Sequence, residues 1–73
     1  MNLSDINVGE KVTVCELKAS DSMRRRLLDI GLVENTPVEC VGRSPLGDPS
    51  AFLIRGAVIA LRSEDCKNIL VKR

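Results

Sequence analysis

A chain of 73 residues has room for one hydrophobic core, because a domain this small buries only about 60% of the surface that its unfolded chain exposes. Every element must share that core. The material for it is narrow. Hydrophobic residues make up 44% of the chain, yet Phe52 is the single aromatic side chain and Trp and Tyr are absent. The core is therefore expected to be aliphatic, built from Val, Ile and Leu in well-defined rotamers. It offers no stacking surface for bases, sugars or proline-rich peptides.

Eleven Lys and Arg stand against ten Asp and Glu, a net charge of +1, so no global field is available to hold a polyanion. A nucleic-acid partner is not expected. Met1 is followed by polar residues and no apolar run reaches the length of a signal h-region or a membrane span, so the chain is expected to be cytoplasmic and to meet a membrane only through a partner. Cys15, Cys40 and Cys66 are widely and nearly evenly separated. That spacing fits no Cys-x-x-Cys pattern, and an odd set of thiols in a reducing compartment argues against a disulfide framework.

Apolar spacing divides the chain into short elements. Leu3, Ile6 and Val8 suit a single helical turn packed on a barrel end, and 7–10 turns. In 11–17, Val12 and Val14 alternate with Lys11 and Thr13, which reads as a strand with Cys15 on the other face. The one clear helix spans 19–31, with Ser20 or Ser22 as cap, Asp21 at the positive end of the dipole and Gly31 as the left-handed stop. Met23, Leu27 and Ile30 form its buried stripe. Leu32 and Val33 re-enter the core. A strand over 37–43 sets Val38 and Cys40 on one face, opposite Glu39 and Val41. The run SPLGDP, 44–49, is a loop in which Pro45 takes the second position of a turn and Gly47 the fourth. Strands over 50–54 and 58–61, joined through Arg55, Gly56 and Ala57, form a hairpin; 63–68 is a helical turn capped by Ser63, and 69–72 is a last strand.

Five short strands with one inserted helix are too few for a sandwich, but they close into a small SH3-like barrel. The expected fold class is mainly β: one domain over residues 1–73, with the helix covering one opening.

The order of elements becomes specific at RRRLLDIGL (24–32), RSPLGDP (43–49) and IRGAVIALRSEDCKNILV (54–71). Together with Leu3 and the Gly9 turn, these stretches resemble the FeoA family across essentially the whole chain. Cys66 departs from the small residue, such as alanine, expected there; a buried thiol is close in size. The resemblance implies an SH3-like barrel acting beside the FeoB-type membrane GTPase transporter in bacterial ferrous iron uptake, through contacts on its cytoplasmic side. It implies no mechanism, and oligomeric state stays open. A ferrous iron carrier and a small nucleic-acid-binding barrel are the alternative functions.

The candidate partner-binding residues are Arg24, Arg25, Leu28 and Leu46. Three successive arginines, Arg24 to Arg26, spread around a helix rather than converging on a phosphate. Arg25 is expected to pair with Asp29 four residues on, while Arg24 and Arg26 flank the apolar stripe. Leu28 falls roughly 130° from the centre of that stripe, so it is expected to be partly exposed. Leu46, at the tip of SPLGDP, either folds back over the barrel or stands out as an anchor.

No resident cofactor or metal is expected. The chain has no His and its thiols lie on separate elements, although weak or transient ferrous binding stays open. Catalysis is not expected either, because the usual general base, a reactive Cys context and a Gly-rich phosphate loop are all missing.

Overall fold

Alternation between buried and more exposed side chains runs along β-strands formed by 11–17, 37–43, 50–54 and 69–72. The computed structural model describes residues 1–73. A 3₁₀ turn at Leu3–Asp5 opens it, followed by β1 (Lys11–Leu17), α1 (Asp21–Asp29), β2 (Pro37–Arg43), β3 (Ser50–Ile54), β4 (Ala57–Leu61), α2 (Ser63–Cys66) and β5 (Ile69–Lys72). The strands form one antiparallel, SH3-like sheet in the order β4-β3-β2-β1-β5. β4 and β5 lie at the two ends of that order and do not pair.

Two irregularities curve the sheet. The β1–β5 register shifts between Val14 and Glu16, and the β2–β3 register between Cys40 and Gly42. Such bulges bend a strand and reset its inward face. Val12, Val14 and Leu17 are therefore all buried although the last step is three residues, and Cys15 is half-buried at the bulge. Val38 and Cys40 share the inward face, as their spacing predicts. Phe52, Ile54, Ile69, Val71 and the opening Leu3 and Ile6 complete the core.

The helix is shorter than its sequence predicts. Ser20 occupies the cap position, but neither it nor Ser22 makes the expected side-chain cap; the Ser20 carbonyl accepts from Arg24 N–H at 2.7 Å. The stop is as expected: Gly31 has φ +101°. Leu32 N–H reaches back to the Leu27 carbonyl at 3.1 Å and Gly31 N–H to that of Leu28 at 3.0 Å, which makes a Schellman motif. Leu27 and Leu32, the apolar pair that this motif brings together, are both fully buried. Met23 and Ile30 are only partly buried against the core, because the short helix drives one residue inward and leaves its flanks at the rim; Val33, expected in the core, is likewise only half-buried beside the fully buried Leu32.

Two further expectations are corrected. Ala57 belongs to β4, since a two-residue turn at Arg55 and Gly56, with φ 51° and 82°, suffices to reverse the chain. Ser63 does not cap α2. The Ser63 N–H instead donates to Asp48 Oδ1 at 2.8 Å, so the SPLGDP loop supplies the cap from across the fold. Arg43 ties the same region together, donating to Ser50 Oγ at 3.0 Å and to the Ile6 carbonyl at 2.9 Å.

Candidate partner-binding site

α1 presents its outer side to solvent because only one stripe of a nine-residue helix reaches the core. Leu28 lies off that stripe and is 38% exposed. It lines a cleft of about 210 Å³ between α1 and β1, together with Cys15, Leu17, Arg24, Leu32 and Glu34. On the other side of Leu28, Arg24 and Arg25 share a shallow shelf with Asp21 and Asp29. The structure thus gathers Arg24, Arg25 and Leu28 on one surface. Leu46 stands apart: it is 95% exposed, lines none of the cavities, and sits on a loop held by Gly47 N–H to the Ser44 carbonyl at 2.8 Å and Ser44 Oγ to the Asp48 carbonyl at 2.7 Å. Of the two postures its sequence allowed, it adopts the outward one.

The expected Arg25–Asp29 pair does not form. Both side chains are exposed, and a basic residue preceding an acidic one by four is the less favourable order against the helix dipole. Arg26 pairs instead, reaching Asp65 of α2 at 3.0 Å. Arg24 and Arg25 keep unpaired guanidinium groups beside Leu28. A planar guanidinium beside an apolar anchor suits bidentate contact with a carboxylate.

The thiols are ordered as their positions predict: Cys40 and Cys66 are buried, and Cys15 is half-buried. Burial and the nearby Asp65 and Asp48 push the Cys66 thiol from its ordinary value of 9.0 to about 12, so it is neutral and inert at physiological pH. At the opposite end, the Asn7 N–H and the Arg73 guanidinium hold Glu10 below the usual carboxylate value. No group of three His, Cys, Asp or Glu side chains is placed to hold a metal ion. No helix is long and apolar enough to cross a membrane.

Sequence reasoning missed a second groove, of about 440 Å³, on the other flank of α1. Ile30, Ile59 and Leu61 line it together with Leu27, Arg26 and Arg62. The signal available for it was β4 itself, AVIAL, an uncharged run bounded by Arg55 and Arg62.

Comparison with known proteins agrees with this geometry. The solution structure of FeoA from Chlorobium tepidum shares 32% identity at a TM-score of 0.92, covering 99% of this chain and 69% of that one. The crystal structure of Stenotrophomonas maltophilia FeoA complexed with zinc, described as a prokaryotic SH3 domain protein and a candidate ferrous iron transport activating factor, shares 28% at 0.87 over 99% and 89%. A curated relative, the Fe(2+) transport protein A/Fe(2+) transporter FeoB fusion protein of Porphyromonas gingivalis, is 29% identical over 72 residues. The alignment spans 99% of this chain but only 8% of that protein. The FeoA domain model matches residues 1–73; with the barrel, the Gly31 helix stop and the SPLGDP loop in place, the chain belongs to the FeoA domain family, which is associated with ferrous iron transport.

Proposed function

We propose that this chain is an accessory module of bacterial ferrous iron uptake that binds the cytoplasmic part of an FeoB-type GTPase transporter through the outer side of α1. The observation that carries the reading is the Porphyromonas gingivalis relative, in which the matching segment is one part of a protein named for both the A component and FeoB. A covalent partner in one organism supports a non-covalent one in another, since fusion replaces affinity with a high effective concentration. The surface fits such a role: Leu28 offers an apolar anchor, and the unpaired Arg24 and Arg25 offer orientation toward carboxylates. The interface is small, so binding is weak, about micromolar, and its association slows as salt rises.

The module acts by contact and not by catalysis, and it meets the membrane only through the transporter. It holds no resident metal; iron is the transporter's cargo. Anaerobic calorimetry with ferrous ion is expected to give no saturable stoichiometric isotherm, and a one-to-one isotherm lost on replacing the three cysteines would favour a carrier instead. Retention on heparin near physiological ionic strength would point to a nucleic-acid-binding barrel.

The decisive experiment measures affinity for the transporter's cytosolic region. Leu28→Ser, Arg24→Glu and Arg25→Glu are each expected to keep the native melt and weaken binding. Unchanged affinity in all three, with loss in Leu46→Ser, would move the site to the SPLGDP loop.

A further inference from the structure

The sheet has two outer edges, and only one is covered. Along β5, the Val71 N–H donates to the Met1 carbonyl at 2.9 Å and Asn2 bridges to Leu70. Along β4 the outer row is open. The two-residue turn closes the hairpin on the Ile54–Ala57 pair, and hydrogen bonding alternates from there along the unbroken β3–β4 register. Val58 and Ala60 consequently aim their N–H and C=O groups away from β3, and no backbone group outside the hairpin meets them. Exposed edges are ordinarily blunted by Lys, Pro or a bulge. β4 has none of these, and Val58 is 64% exposed.

We propose that the β4 edge accepts an extended peptide segment as an added strand, with alternate apolar side chains lying in the α1–β4 groove and an acidic residue beside Arg55. The outward groups of Val58 and Ala60 supply the main-chain hydrogen bonds, while Ile30, Ile59 and Leu61 supply the side-chain pocket. Charge selects the occupant. Arg55 and Arg62 bracket β4, both exposed and neither in an ion pair. Glu64 lines the groove beside Arg62, and Asp65 is occupied by Arg26. The Arg55 end is therefore the more positive, and it sets the direction of the segment. A second copy of the chain is disfavoured by the same groups: a two-fold centred on Ile59 would bring Arg62 of each copy next to Arg55 of the other, and like charges across a strand pair are destabilising.

The test uses the whole chain, isotope-labelled, and a short synthetic peptide of alternating valine and threonine with a glutamate at each end; its control has a lysine at each end. At saturation, the Val58 and Ala60 amide protons are expected to exchange at least about tenfold more slowly, and the lysine-ended peptide to bind at least about tenfold more weakly. Ala60→Pro, which removes an outward donor, is expected to abolish binding. Should that variant fold poorly, Arg55→Asp, in an exposed turn position where Asp tolerates positive φ, is expected to reverse the preference between the two peptides. The proposal is overturned if millimolar peptide leaves the Val58 and Ala60 amides unprotected, or if both peptides bind equally. It is also overturned if those amides become protected with rising protein concentration alone, because the edge would then be a self-association surface.

Discussion

Along β5, the N-terminal residues hydrogen-bond to the outer strand, and Leu3 beneath them is fully buried. Along β4, an equally apolar strand ends in solvent with its outer backbone groups unpaired. The two edges have similar apolar sequences, ILVK and AVIAL, and the one Lys, which ordinarily blunts an exposed edge, lies on the covered strand, so composition does not mark which edge is open. What differs is whether a neighbouring segment is placed to cover the strand. An edge closed from within contributes to stability, whereas an edge left open is available to a partner and costs the isolated fold little when its outward-facing side chains are altered.

Lysine placed at a core-facing position of β5 and at an outward-facing position of β4 marks the two limits of that contrast. Val71→Lys, at a side chain only 4% exposed, is expected to cost about 3–5 kcal/mol and unfold much of the population, because it buries an unpaired charge. Urea titration measures it; a loss below about 1 kcal/mol would mean that the Val71 side chain does not face the core.

Gly31→Val tests the joint between helix and hairpin. Positive φ strains a β-branched residue, and a Cβ there meets Arg55 Cδ at 3.1 Å, so a loss of about 1–2 kcal/mol is expected by thermal melt. Wild-type stability would show that α1 ends without the Schellman turn.

The covered end should also respond to alkali. Cys66 lies on α2, which packs against the opening 3₁₀ turn. Its thiol titrates near 9.0 when the chain is unfolded and at about 12 when it is folded. A raised folded value gives stability that is complete below pH 9.0 and is lost as pH climbs toward about 12. The expected decline in that window approaches about 1 kcal/mol per pH unit, and Cys66→Ala should flatten it. In native protein, thiol reagents should modify Cys15 first.

Asp48→Ala removes the cap on α2 and is expected to cost about 0.5–1 kcal/mol. The smallest effect belongs to the open edge: Val58→Lys, at a residue 64% exposed, should change stability by less than about 0.5 kcal/mol. A larger loss would show that the Val58 side chain packs against something within the fold instead of facing solvent.

Local pattern alone determined much of this protein. Alternation placed β1 and β2 over 11–17 and 37–43, and the wheel put Leu27 inside and Leu28 at the surface. The Gly31 stop and the Ser44–Gly47 turn were legible for the same reason: each depends on the φ preference of one residue and on partners within six positions. The motif resemblance extended that reading to the family, over the whole chain. Tertiary structure decided what depends on distant partners. Asp48 rather than Ser63 caps α2, Asp65 rather than Asp29 takes an arginine of α1, and the bulge at Cys15 turns Leu17 inward. Each of these depends on residues brought near only when the chain has folded. The open edge of β4 has the same origin, because whether a strand is covered depends on where the rest of the chain lies, and no pattern within AVIAL carries that information.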